Sequence, residues 1–203
     1  MTAIDFWYDF ASPYCYLVAM RVDDLAGQAD VAVAWRPLLL GPLFARRPGD
    51  PSPYQNAPPT EAAYRRRDVT RLCARYRLPL VWPSTYPRGS LLATRVALLG
   101  AGAGWGAAFA RAVFHANFAE DRDIADAAVV AEILAALGLT AADWLDRAGQ
   151  PAAKDALKAE VARAIGLGIF GAPTFIAVGE LFWGHDRLDH ALDWAARPET
   201  RVP

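Results

Sequence analysis

Strand-like sequence is confined to the two ends of this chain, and residues 61–167 between them carry helical patterning only. A buried sheet must therefore be assembled from segments far apart in sequence, with the helices inserted between its halves. Residues 4–9 (IDFWYD) form a short aromatic and β-branched run that stops at Ala11-Ser12-Pro13. Tyr14, Leu17, Val18, Val22 and Leu25 then recur at helical spacing, which predicts one helix over 14–25, and residues 31–36 (VAVAWR) return to strand character. Two strands joined through one helix predict parallel pairing. At the other end, residues 174–178 (TFIAV) read as a strand, Gly179-Glu180 as a hairpin turn into 181–183, and 186–195 as a closing helix. The expected class is α/β: a β-α-β half, an all-helical insertion and a β-β-α half.

Between 42 and 60 stand Pro42, Pro48, Pro51, Pro53, Pro58 and Pro59, which predicts a long irregular segment of a length that is usually functional. Helices are expected beyond it at about 61–77, 89–101, 105–118, 125–137, 141–148 and 151–167, separated by breakers such as Pro79, Pro83, Pro87, Gly102 and Gly138. The organisation expected is a discontinuous domain of residues 1–40 plus 168–203 and a helical insertion domain of 41–167. Ligands commonly bind in the cleft between two such units.

The 21 basic residues are balanced by 22 acidic ones, so no net field exists to hold a polyanion, and nucleic acid is not an expected partner. Arg65, Arg66, Arg67, Arg71, Arg75 and Arg77 crowd one stretch, but they alternate at helical spacing with Val69, Leu72 and Cys73 and read as a solvated helix face. The opening MTAIDFWYDF lacks the basic and apolar regions of a signal peptide. No apolar run reaches the ~20 residues a membrane span needs. Two cysteines, Cys15 and Cys73, cannot form a disulfide framework, and a cytoplasmic location is expected. His115, His185 and His190 show no ligand spacing with cysteines or carboxylates, so no metal is expected.

Three short motifs can carry chemistry. Ser12-Pro13-Tyr14-Cys15 places a hydroxyl at a helix start, where helix N–H groups favour an anion and where a thiol oxidoreductase would hold its nucleophilic cysteine. No Ser-His-Asp arrangement or Gly-x-Ser-x-Gly elbow surrounds Ser12, so it reads either as a plain helix cap or as a hydrogen-bond donor to a thiolate brought by a ligand. Phe170-Gly171-Ala172-Pro173-Thr174-Phe175 puts a proline at a strand entry, either an ordinary one or a cis proline that turns the backbone of Ala172 toward Ser12. In the segment from Leu181 to Asp189, Asp186 reads as the cap of the last helix, and His185 as a surface or capping histidine rather than a general base.

Taken together, Asp9-Phe10-Ala11-Ser12-Pro13-Tyr14, Trp35-Arg36-Pro37, Gly171-Ala172-Pro173-Thr174-Phe175 and Phe182-Trp183-Gly184-His185-Asp186-Arg187-Leu188 resemble the 2-hydroxychromene-2-carboxylate isomerase family. That family is similar to kappa-class glutathione transferases and to DsbA-like proteins, and the likeness spans nearly the whole chain. It implies a thioredoxin-like fold with a large all-helical insertion, a homodimer, and bound glutathione whose thiolate is held by Ser12. It further implies that Ala172, beside Pro173, pairs with the tripeptide backbone, that Trp183, Gly184, His185 and Asp186 hold its γ-glutamyl end, and that Asn56, Ala57 and Tyr86 lie by the second substrate. Where members often carry Phe-Lys, a lysine after the double proline, and Phe-Pro-x-Asn-Ser, this chain has Phe44-Ala45, Glu61 and Tyr86-Pro87-Arg88-Gly89-Ser90.

The activity implied is a glutathione-dependent cis-trans isomerisation of an aromatic 2-oxo acid: the thiolate adds reversibly, the former double bond rotates, and the thiol leaves. A kappa-like glutathione S-transferase would use the same thiolate for conjugation. A thioredoxin-like protein without catalytic activity would instead accept unfolded peptide in the cleft.

Overall fold

The computed structural model, which describes residues 2–46 and 56–197, gathers the strand-forming ends of the chain into one mixed sheet. β1 (Thr2–Tyr8) runs parallel to β2 (Val31–Pro37) and, on its other side, antiparallel to β3 (Thr174–Ala177), which pairs antiparallel with β4 (Glu180–Trp183). The order is β2-β1-β3-β4, with Phe6 of β1 opposite both Trp35 and Phe175. The central β1 is covered on both faces, which is why Ile4, Phe6, Trp7 and Tyr8 run almost unbroken instead of alternating with polar residues. This is the expected α/β thioredoxin-like arrangement, and β3, 160 residues away from the first turn, is brought directly beside it.

The first helix is shorter than its apolar spacing predicts. α1 (Pro13–Ala19) ends at Met20, and α2 (Val22–Gln28) begins a new axis after Arg21, whose φ of −137° is not helical. One local and one tertiary contact of Arg21 hold the break: its Nε donates to Leu17 O, one turn back, at 2.8 Å, and its guanidinium lies 3.5 Å from the centre of the Tyr76 ring. A further short helix, α3 (Leu40–Phe44), lies at the start of the segment expected to be irregular, held by buried Leu40, Leu43 and Phe44. Residues 47–55 of that segment lie outside the described residues.

Six further helices stand within one or two residues of the expected positions: α4 (Pro59–Tyr76), α5 (Leu91–Ala103), α6 (Gly106–Phe118), α7 (Ala127–Ala136), α8 (Ala141–Gly149) and α9 (Pro151–Gly166). The β3–β4 turn falls on Val178-Gly179, both with positive φ, and Glu180 already pairs with Ala177. The last helix also starts late. His185–Arg187 form one 3-10 turn, α10 (Leu188–Ala196) follows, and its first turn has no side-chain cap, so Asp186 is not the cap that its position suggested.

One apolar cluster runs from Ile4 of the sheet through Phe109, Val113 and Phe114 of α6 to Ala195 of α10. The Phe114 ring lies 5.7 Å from Tyr8 and 5.0 Å from Phe10, which seats α6 on the end of β1. Among the described residues no helix is long and apolar enough to cross a membrane.

A buried guanidinium fastens the helical segment to this end of the sheet. Arg88, 6% exposed, donates through Nη1 to Asn117 Oδ1 at 3.1 Å and Arg122 O at 2.9 Å, and through Nη2 to Asp121 O at 3.1 Å and to the Asp121 carboxylate. Asn117 Nδ2 in turn donates to Phe10 O at 2.9 Å, two residues before Ser12. Truncating Arg88 would strand several of these acceptors, which costs about 3 kcal/mol in comparable buried networks. Arg88→Met is therefore expected to lower stability by roughly that amount in urea denaturation at an unchanged m-value, and an unchanged midpoint would contradict the role given to this network.

Candidate active site

β1 ends where Asp9 turns its carboxylate inward. Oδ1 accepts from Ala11 N at 2.9 Å and Ser90 Oγ at 3.0 Å, Oδ2 accepts from Leu40 N at 2.7 Å, and the Asp9 carbonyl accepts from Ser12 N at 3.0 Å. Burial pushes the Asp9 carboxyl upward in pKa, and the three donors oppose that shift by favouring the anion. The result is a turn tied at once to α3, to Ser90 just before α5, and to its own backbone.

Ser12 starts α1. Its backbone is extended (φ −88°, ψ 116°), its Oγ accepts from Cys15 N at 3.3 Å, and Pro13 occupies the first helical position. The hydroxyl proton goes the other way, toward Ala172 O at 3.4 Å, a long contact that spans 160 residues. The Ala172–Pro173 bond is cis. Capping uses an oxygen lone pair and donation uses the proton, so the two readings of Ser12 do not compete. Because α1 is only seven residues long, its end offers a weaker field than a helix over 14–25 would.

Among the described residues, cavities open on several sides of the Ser12-Pro13-Tyr14 turn, and three of them bear on the site. The largest, about 540 Å³, brings Ala172, Pro173, Trp183, Gly184, His185 and Asp186 together. Gly184 has φ +117°, and a Cβ there would stand 2.5 Å from Asp186 Oδ1, so only glycine lets its N–H reach Pro173 O at 3.0 Å. Gly171 likewise leaves room for the indole: a Cβ on it would lie 2.5 Å from Trp183 Nε1. The His185 ring stacks on Tyr14 at 5.1 Å. Burial, partly offset by Asp186 and Asp68, holds its imidazole below the usual histidine range and therefore neutral near pH 7.

A second cavity of about 300 Å³ is lined by Pro13, Tyr14, Ala57, Arg65, Trp82 and Tyr86. Ala57 and Tyr86 thus line one cavity together, while Asn56 is exposed and outside this lining. The third, about 370 Å³, has Asp9 and Ser12 in its wall with Leu40 and Ser90. Ser12 itself is only 1% exposed.

Sequence reading missed Tyr14 as a wall common to the first two cavities, with its hydroxyl donating to Asp68 Oδ2 at 3.0 Å. The arginine run is a further correction. Arg67, Arg71 and Arg75 are solvated as expected, but Arg65 lines both cavities and Arg66 lies over Trp82 at 4.9 Å. The spacing of Ala62, Arg65, Arg66 and Val69 was the available signal, since it puts them on the face of α4 that Tyr14 meets. Asp9 stood inside a recognised motif but carried no assigned role. Among the described residues no group of three or more His, Cys, Asp or Glu is arranged to hold a metal ion.

Fold and turn together define a thioredoxin-fold protein in which a buried serine stands at the helix start facing a cis proline. The chain belongs to the DSBA-like thioredoxin domain family, whose model matches residues 3–193. It is similar to a 2-hydroxychromene-2-carboxylate isomerase from Sphingobium xenophagum, with 27% identity over 186 residues that cover 92% of this chain and 94% of the relative. The solved structure of a 2-hydroxychromene-2-carboxylate isomerase superposes with a TM-score of 0.82 at 25% identity, covering 97% of each chain. The cytosolic disulfide reductase DsbM from Pseudomonas aeruginosa, solved with GSH, shares the fold at a TM-score of 0.65 and 21% identity over 98% of each chain.

Both thiols of this chain are buried and unpaired. Cys15 is fully buried, with its thiol pushed up to about 12 by burial, and burial likewise pushes Cys73 up to about 11. The thiolate fraction grows as pH rises toward those values and is negligible at pH 8. The native protein is expected to leave Ellman's reagent unreacted at pH 8, and to release two equivalents once unfolded in guanidinium. Rapid reaction of one native thiol would restore a Ser-x-x-Cys redox role for Cys15.

Proposed function

We propose that this protein is a glutathione-dependent cis-trans isomerase of an aromatic 2-oxo acid, of the 2-hydroxychromene-2-carboxylate isomerase type. The observation that carries the reading is the Ser12 hydroxyl, held by its cap bond and aimed at Ala172 O on the edge of the 540 Å³ cavity. Its proton rests on a 3.4 Å contact, so turning it toward a sulfur anion sacrifices little. The relatives named as isomerases, and the GSH held by the fold neighbour DsbM, support the same reading.

The cavity suits the tripeptide. Asp68 and Asp186 would receive an ammonium group and Arg65 and Arg187 carboxylates, in exchange for their present partners Arg71, Glu61 and, between Asp186 and Arg187, each other, and Ala172 is the residue to pair with peptide backbone. Bound glutathione would supply a thiolate able to add reversibly to an electron-poor double bond. Ser12 would stabilise that anion, Trp183, Gly184, His185 and Asp186 would hold the γ-glutamyl end, and Tyr14, Ala57 and Tyr86, with Asn56 beside them, would orient the second substrate. A homodimer in the reducing cytoplasm belongs to this proposal.

One observation favours a kappa-like transferase as the second reading. Arg65 at the acceptor cavity is ion-paired to Glu61, at the position where isomerases often carry lysine, and this pairing weakens its attraction for a substrate carboxylate. The two are separated by following glutathione during turnover: isomerisation leaves its concentration constant, and conjugation consumes it.

The test of the mechanism is Ser12→Ala. A hydroxyl donating to the thiolate favours the charged form, and each pKa unit is worth about 1.4 kcal/mol. The variant is expected to bind glutathione, to lose the ultraviolet absorbance of its thiolate at pH 7, and to recover part of its rate as pH rises. Wild-type thiolate absorbance and full rate in Ser12→Ala would reduce Ser12 to a helix cap.

A further inference from the structure

A fourth cavity, about 440 Å³, opens between α3, α5 and α9, away from the proposed glutathione side. Its walls are aliphatic, including Leu39, Leu91, Leu157 and Val161, and its charged members are cations, notably Arg95 and Lys154. Leu157 and Val161 are buried, while Leu91 is 46% exposed.

We propose that this cavity binds an amphipathic monocarboxylate, an aryl- or alkyl-chain acid whose carboxylate rests on Arg95. Arg95 is the observation that points to a ligand. Its Nε is buried with no hydrogen-bond partner, and its guanidinium has no ion pair among the described residues. Several other arginines around the sheet are ion-paired: Arg36 with Asp5, Arg88 with Asp121, and the more exposed Arg163 with Asp5 and Glu160. Among the described residues no acid lines the cavity, and the acids nearest in sequence along α9 are engaged, Asp155 by Lys158 and Glu160 by Arg163. A buried unpaired donor is rare in folded proteins.

The shape of the site selects among anions. A guanidinium fork matches a carboxylate in two parallel hydrogen bonds. Inorganic phosphate would satisfy Arg95 and leave the aliphatic wall bare, whereas a neutral apolar chain, or an apolar helix of a second copy, would cover the wall and leave Arg95 unpaired. An acid with an apolar body satisfies both. The inference does not rest on glutathione, although Leu39, Pro42 and Leu91 also line the Asp9–Ser12 cavity, so the two sites adjoin.

The test uses two probes of like size, 4-phenylbutyrate and 4-phenyl-1-butanol, titrated calorimetrically into the glutathione-free protein, with amide NMR shifts to locate them. The wild type is expected to bind the acid at least tenfold more tightly than the alcohol, with shifts at Leu91, Leu157 and Val161. Arg95→Gln should erase that preference with a melting temperature within a few degrees of wild type, and Arg95→Lys should keep part of it. Equal affinity for the two probes, no binding of either, an undiminished preference in Arg95→Gln, or shifts centred on Tyr14 and Trp183 would each overturn the proposal. So would self-association that Leu157→Asp abolishes and 4-phenylbutyrate does not displace, since a second copy would then be the occupant. If Arg95→Gln fails to fold, the wild-type comparison of acid and alcohol decides alone. Glutathione binding, measured separately on the same protein, reports on the Ser12 reading independently.

Discussion

The Asp9 carboxylate is the point at which three separate parts of this chain are fixed to one another. It sits at the end of the central strand, out of solvent, and accepts from Ala11 N, Leu40 N and Ser90 Oγ. Burying a carboxylate is costly, and hydrogen bonds to a charged acceptor return ~1.5–3 kcal/mol each. Three of them from fixed donors make the turn worth forming, and each donor belongs to an element that would otherwise be free to shift: the turn, α3 and the entry to α5. The Arg88–Asn117–Phe10 chain approaches the same turn from α6. Ser12 is therefore positioned by polar contacts from the helical segment as much as by the strand that leads into it.

That rigidity matters because Ser12 has little else to define it. Its helix is one short piece, shortened by the tertiary capture of Arg21 on Tyr76, so under the proposed function the hydroxyl and not the helix field would be the principal handle on an anion. A single hydroxyl helps only if its direction is set in advance. Here the direction is set by the Cys15 amide on one side and the Ala172 carbonyl on the other, and the latter is delivered by β3 from the far end of the chain.

The elements legible in the sequence were those whose signal is local. Strand runs, proline and glycine breakers, the Ser-Pro start of α1 and the Gly-Ala-Pro entry to β3 stand close to their expected places. What escaped is non-local. The apolar spacing of 14–25 is continuous, and nothing local reveals that Arg21 will meet a ring on α4. α3 is too short to carry a period, and its start is fixed by Asp9, 31 residues earlier. The arginines of α4 look alike in sequence, and only the docking of Tyr14 separates Arg65 from Arg67. Asp186 had the composition of a helix cap, but the positive φ of Gly184 carries the chain through an extra 3-10 turn before α10 begins.

This division has a consequence for specificity. The 540 Å³ cavity is built from β3, β4 and the turn after them, where Gly171 and Gly184 leave no space for a side chain. The 300 Å³ cavity is built from α4 and the segment around Trp82 and Tyr86, whose contacts include a tilted ring pair and a cation–π pair that tolerate exchange of one ring or charge for another. Substitutions in the wall of the 300 Å³ cavity can reshape it with the fold intact, whereas those at the two glycines disturb the backbone that presents Ala172. Tyr14 belongs to both cavities: its ring backs His185, its hydroxyl holds Asp68, and it lines the 300 Å³ cavity as well. Arg65 also lines both, so a change at either residue must alter the two cavities together.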